Sequence, residues 1–144
     1  MGRHHVELAH GHGRTVLVVE DETIIALDIQ DVLEECGLRV LGPAATVRGA
    51  LDLLAAERSD AAVLDLNLHG EASTPVARAL RAMNVPFVVA SGYGAESMPR
   101  DAAIQDAPKV DKTSRHEDLA AVLIRLLDAI GPAPRAASRA AALR

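Results

Sequence analysis

Aromatic side chains are almost missing from this chain of 144 residues: Phe87 and Tyr93 stand alone, and there is no Trp. A core must therefore be built from Val, Leu, Ile and Ala. Cysteine is nearly missing too. Cys36 is the single thiol, so no intramolecular disulfide can form, which fits a reducing compartment. No apolar run approaches the roughly 18–20 residues of a membrane-spanning helix. The opening stretch, MGRHHVELAHGHGR, lacks the apolar centre of a signal peptide. A basic excess is also lacking. The net charge is −5 and the pI about 5.6, which argues against nonspecific nucleic-acid binding by the domain as a whole; no direct DNA binding is expected either, since only about fourteen residues follow the last helix. No segment repeats at a fixed period. A soluble, cytoplasmic protein is the expectation.

What remains is a folded domain: hydrophobic residues make up 49% of the chain, enough for one core. Residues 1–14 hold His4, His5, His10 and His12 and read as a flexible leader. Val16–Val19 form a buried strand. A helix over 22–36 follows, with Ile25, Ile29, Val32, Leu33 and Cys36 at helical spacing, stopped by Gly37. A short second strand ends at Gly42-Pro43. Thr46 caps a helix over 47–57 whose inner face is Leu51, Leu54 and Ala55. The third strand spans 61–68. Ser73-Thr74-Pro75 starts a helix carrying Val76, Leu80 and Met83. A fourth strand runs over 85–92, a short or distorted helix lies within 95–105, and a fifth strand covers 107–112. The last helix, 116–130, buries Leu119, Val122, Leu123, Leu126 and Ile130. Residues 131–144, rich in Ala, Arg and Pro, read as a mobile tail. Five βα units with continuously apolar strands predict an α/β domain over 15–130, a parallel sheet covered on both faces.

Ligands of such sheets gather at the carboxyl ends of the strands. Strand one ends in Glu20-Asp21-Glu22, strand three in Asp65 with Asn67 two residues on, strand four in Ser91-Gly92, and strand five near Lys112. Like charges this close repel and resist dehydration. A hard divalent ion such as Mg²⁺, which takes oxygen ligands, would relieve that repulsion. A carboxylate beside the ion can attack a phosphoryl group. A hydroxyl and an ammonium would hold the remaining phosphoryl oxygens.

These residues resemble a receiver domain of the CheY-like response regulators, from about Thr15 to Ile130. VVEDE matches the acidic pair after the first strand and VLDLNL the phosphoacceptor strand. PFVVASGY, residues 86–93, is similar to the signature of the FAT GUY subgroup, with Val89 in place of a Phe and Ser91 in place of a Thr. The resemblance implies a flavodoxin-like (βα)5 doubly wound sheet with strand order 2-1-3-4-5. It implies Asp65 as phosphoacceptor, Ser91 as switch hydroxyl and Lys112 as the cation on the phosphoryl oxygens. Mg²⁺ would be held by Asp21, Asp65 and the Asn67 backbone carbonyl, and by Glu20 directly or through water. Tyr93 fits a rotating switch aromatic as well as surface filler.

Two departures stand out. Lys112-Thr113 replaces the usual Lys-Pro, which puts the local geometry in doubt and leaves Lys109 as a rival. His69-Gly70 replaces the usual Pro beyond the phosphoacceptor, an exchange expected to loosen that loop. Glu22 reads as a helix start favoured by the dipole, His116 as an exposed residue of a first helical turn, and Cys36 as core.

The function implied is that of a single-domain response regulator in a two-component phosphorelay, not an enzyme with a separate substrate. A histidine kinase, by the FAT GUY resemblance of HWE type, or a phosphotransfer protein would phosphorylate Asp65. Output would pass by protein contact, or the domain would act as a phosphate shuttle or sink. Whether two copies form a homodimer is left open. A pseudo-receiver that never takes up phosphate is the first rival. A haloacid-dehalogenase-type phosphatase is the second, although Asp65-Leu66-Asn67 lacks its second acid. A nucleotide-binding Rossmann module is disfavoured because no Gly-rich loop follows strand one.

Overall fold

The computed structural model describes residues 13–91, 101–111 and 115–130. In chain order the elements are β1 (Thr15–Val19), α1 (Thr23–Glu35), β2 (Arg39–Ala44), α2 (Val47–Ala56), β3 (Ala61–Asp65), β4 (Asn67–Leu68), β5 (Glu71–Ala72), α3 (Thr74–Ala82), β6 (Phe87–Ser91), α4 (Ala102–Gln105), β7 (Lys109–Asp111) and α5 (His116–Ala129). Five strands make one parallel sheet in the order β2-β1-β3-β6-β7. With β6 and β7 as the fourth and fifth long strands, this is the expected order 2-1-3-4-5. The short β4 and β5 form a separate antiparallel hairpin.

The apolar strands are apolar because both faces are covered. Every residue of β1, β3 and β6 is buried. Alternation along each strand sends side chains to opposite sides. Leu17, Val19, Leu64, Phe87 and Val89 pack with Val47, Leu54, Val76, Leu80 and Ile104 of α2, α3 and α4. Val16, Val18, Val63, Val88 and Ala90 pack on the other side with Ile29, Leu33, Leu119, Leu123 and Leu127 of α1 and α5.

Several sequence expectations shift. The second strand does not end at Gly42-Pro43 but runs through it to Ala44, with a cis peptide between the two. Proline is tolerated because β2 is an edge strand, and its register with β1 shifts there. Gly42 has φ +98°, and a Cβ on it would come within 2.8 Å of the Ala44 nitrogen and 3.1 Å of the Val18 carbonyl oxygen, so only glycine fits. The third strand stops at Asp65, three residues before the expected end, because the chain turns into the hairpin.

The helix faces also differ in part. In α2, Thr46 caps as expected, its Oγ1 accepting from the Gly49 amide at 2.9 Å. Leu54 is buried, Leu51 is half-buried and Ala55 is exposed, while Val47 and Ala50 face the core. In α3, Val76 and Leu80 are buried, and Met83 ends the helix half-buried. In α5, Leu119 and Leu123 are buried, Val122 and Leu126 are half-buried, and Ile130 is 58% exposed beyond the last turn. Ile124 and Leu127 fill the core instead, because the sheet meets a stripe one residue further round. Ile25 and Cys36 of the first helical segment are only half-buried.

His116 is not exposed: its side chain keeps 12% of its accessibility, and Nδ1 meets Asp28 Oδ2 of α1. Arg14, at the boundary of the expected leader, is buried and donates from Nη1 to the Leu127 carbonyl at 2.8 Å. The rest of the leader up to residue 12, the tail and Tyr93 lie outside the described residues. No described helix is long and apolar enough to cross a membrane.

Candidate functional site

The strand order builds the site. From β1 the chain moves outward to β2, then returns to place β3 on the other side of β1. That reversal leaves a crevice at the carboxyl ends of β1 and β3. Glu20 and Asp21 leave β1 there, and Asp65 is the last residue of β3. One carboxylate oxygen from each of the three lies within 4.8 Å of the others.

Each acid has its own support. Glu20 is 2% exposed; its amide donates to the Ala44 carbonyl at 2.9 Å, and its Oε2 accepts from the Glu22 amide at 3.0 Å. Glu22 itself is the exposed cap position of α1 and makes no side-chain capping bond. Asp65 is 6% exposed, with the Asn67 amide 3.4 Å from its Oδ1. Asp21 keeps 11% of its side-chain accessibility. Burial pushes its carboxyl up. The His69 amide, a hydrogen bond with Glu20, its own amide and the His69 imidazole outweigh burial and hold it below the ordinary carboxylate value.

Of the other expected site residues, Ser91 and Asn67 are described. Ala90 is the register partner of Asp65, and Ser91, buried, is the next residue of β6. Ser91 in turn lies opposite Asp111, the last residue of β7. Lys112 follows Asp111 in the sequence and lies outside the described residues, as does Thr113. Its rival Lys109 lies at the start of β7, opposite Val89, and its Nζ donates to the Gln105 carbonyl. Lys109 is thus at the wrong end of the strand for this cluster. Asn67 is exposed on β4, and its side-chain Oδ1 accepts from the Gly70 amide at 2.7 Å.

The loop after Asp65 closes as a hairpin without the proline. Leu68 pairs with Glu71 across His69 (φ +53°) and Gly70 (φ +86°). Two left-handed residues between paired strands are the tight-hairpin arrangement. The Ser73 amide closes the loop base by donating to the Leu66 carbonyl at 3.0 Å. His69 was no expected site residue, yet its amide donates to Asp21 Oδ2 at 2.8 Å. The signal was available: a His-Gly pair between Leu68 and Glu71, since His tolerates left-handed φ better than most residues.

The donor set is made of hard oxygens with three formal negative charges, two of the carboxylates being buried. That chemistry fits a divalent ion such as Mg²⁺ and leaves one carboxylate at a strand end as a nucleophile.

Comparison with known proteins agrees in kind. The model of the response regulator receiver domain matches residues 16–124. The solution structure of SdrG from Sphingomonas melonis Fr1 is 40% identical, covering 80% of this chain and 97% of that one, with a TM-score of 0.68. The BeF3-activated conformation of SdrG from Pseudomonas melonis Fr1 is 39% identical over 78% of this chain and 95% of that one, with a TM-score of 0.66. The response regulator PhyR from Brucella abortus shares the fold at 23% identity, covering 99% of this chain and 57% of that one, with a TM-score of 0.72. No curated protein sequence matches the chain.

Proposed function

The chain belongs to the response regulator receiver domain family, and on that premise we propose that it takes a phosphoryl group onto Asp65 and passes the signal on by protein contact. The observation that carries this reading is the trio of carboxylates at the carboxyl ends of β1 and β3, with oxygens within 4.8 Å of one another.

Asp65 supplies the nucleophilic oxygen. An O–P bond forms to the incoming phosphoryl group as the P–N bond of a donor phosphohistidine breaks, and the donor imidazole leaves with the electron pair and takes up a proton. Glu20, Asp21, Asp65 and the Asn67 backbone carbonyl would hold Mg²⁺. Bound there, the ion supplies neutralisation of the carboxylates and of charge on the phosphoryl oxygens. Ser91, one residue beyond the register partner of Asp65, would donate to a phosphoryl oxygen, and Lys112 would pair with another. Burial of Asp65 limits water at the acyl phosphate and so favours its survival.

The donor is a histidine kinase or phosphotransfer protein. The stretch Pro86 to Tyr93, similar to the FAT GUY signature, supports an HWE-type kinase. SdrG takes a BeF3-activated conformation, and a phosphoryl mimic in a relative supports the same chemistry here. A phosphatase acting on a separate substrate would need an acid two residues after Asp65. That position is Asn67, whose side-chain oxygen already accepts from Gly70.

The test is incubation with acetyl phosphate, with and without Mg²⁺, read by intact mass. One labile, Mg²⁺-dependent phosphoryl adduct, absent from Asp65→Ala, is the expected result. An adduct that persists in Asp65→Ala, or a chain that binds no Mg²⁺ and takes no phosphoryl group from acetyl phosphate or a donor kinase, would overturn it. Turnover of a generic aryl phosphate would favour the phosphatase instead.

A further inference from the structure

We propose that His69 is a positioning residue for Asp21, holding its carboxylate through Oδ2 in a fixed orientation at the site of a divalent ion. This rests on the proposed Mg²⁺-dependent phosphorylation of Asp65. The geometry is local and complete. His69 sits at φ +53°, which turns its main-chain N–H inward to Asp21 Oδ2 at 2.8 Å. Its imidazole Nδ1 stands 3.3 Å from the same oxygen. Both contacts fall on Oδ2, so the hairpin fixes the Asp21 carboxylate through that oxygen.

The hairpin holds His69 in that conformation. Gly70 follows at φ +86°, and its amide donates to Asn67 Oδ1 at 2.7 Å. Leu68 and Glu71 pair on either side. The turn after β3 is thereby tied to the turn after β1, across 48 residues of sequence. The side chain of His69 is 73% exposed, so the main-chain donor, not a buried imidazole, is the fixed part of the contact. Partners of this kind orient a metal-ligating carboxylate, and their loss typically weakens metal binding about 10–100-fold.

The role predicts which substitutions matter. His69→Asn and His69→Gly keep the N–H and accept left-handed φ. His69→Pro removes the N–H and fixes φ near −65°. Mg²⁺ affinity of the full chain is measured by titration calorimetry. For His69→Pro it is expected to fall about tenfold, while the Asn and Gly variants stay within about threefold of the unsubstituted chain. At saturating Mg²⁺ the rate of acetyl phosphate labelling of His69→Pro should return to within about threefold, which separates positioning from damage to the chemistry.

A second measurement needs no proline. The His69 amide proton, followed by NMR in the unsubstituted chain, should be protected from exchange, and Asp21→Ala should remove that protection. Equal Mg²⁺ affinity in all four chains, or a freely exchanging His69 amide, overturns the inference and leaves the proposed function standing. An unsubstituted chain that binds no Mg²⁺ overturns both.

Discussion

Replacing Asp65 by Asn removes one charge from the cluster and keeps its shape. In the absence of divalent ions the variant is expected to be more stable than the parent chain. The three carboxylates each bring an oxygen within 4.8 Å of the others. At that separation two unit charges repel by about 3.5 kcal/mol at an effective dielectric of about 20. Asp65 faces two such neighbours. Three effects reduce the gain. Asp21 retains some solvent, the Glu22 and His69 amides already stabilise Glu20 and Asp21, and an amide accepts hydrogen bonds less strongly than a carboxylate. A net stabilisation of about 1–2 kcal/mol follows, or a rise in Tm of about 3–6 °C for a domain of this size. Calorimetric melting in EDTA reads it directly. Added Mg²⁺ stabilises the native state by RT ln(1 + [L]/Kd), about 2.7 kcal/mol at a hundredfold excess over Kd. The parent should gain most of that and Asp65→Asn much less, so the order of the two melting temperatures reverses. If the Asn variant melts below the parent in EDTA, or both gain equally from Mg²⁺, the cluster is not held against its own repulsion and the argument fails.

Other parts of the fold give sharper local tests. Leu80 is fully buried on α3, so Leu80→Ala should lower stability by about 2–5 kcal/mol, whereas Ile24→Ala, at a side chain 83% exposed, should stay within about 0.5 kcal/mol; urea midpoints distinguish them. Thr46→Ala removes the cap bond to Gly49 and should lose about 1 kcal/mol, restored by Thr46→Asn; equal midpoints for Ala and Asn would count against the cap. The Ala103 amide and the Arg78 guanidinium, 2.5 Å from Asp101 Oδ2, hold the Asp101 carboxyl below its ordinary value. Its contribution to stability is therefore complete above the unfolded value of about 3.9 and is lost as pH falls through the lower folded value. Carboxyl NMR titration should show that midpoint rise in Arg78→Ala, and an unchanged midpoint would remove Arg78 from the account.

Local chemistry made much of this molecule legible before any coordinates. Uninterrupted apolar runs such as Val16–Val19 belong to strands buried on both faces, because one exposed face would demand alternation. Thr46 and Ser73-Thr74-Pro75 mark helix starts through groups that lie beside each other in the chain. The order of elements implies a parallel sheet with the acids at the carboxyl ends of its strands, and the order 2-1-3-4-5 implied by the resemblance sets the first and third strands side by side, so that Glu20, Asp21 and Asp65 share one crevice.

Contacts between distant segments were not legible in this way. A helical pattern fixes a period but not its phase against the sheet. Leu127 is therefore core and Ile130 is exposed, although both fit one amphipathic reading. His116 looked like a surface residue because nothing near it in sequence announces Asp28, 88 residues away on α1. The absent proline after Asp65 read as a looser loop, yet His69 and Gly70 take left-handed conformations and close a hairpin. The sequence by itself determined that there are five long strands and which acids follow the first and third, since these follow from periodicity and from residues adjacent in the chain; the order of the strands in the sheet came with the family resemblance. Only the tertiary structure decided that the His69 amide reaches Asp21, because a hydrogen bond between two turns depends on how both are oriented across the sheet edge.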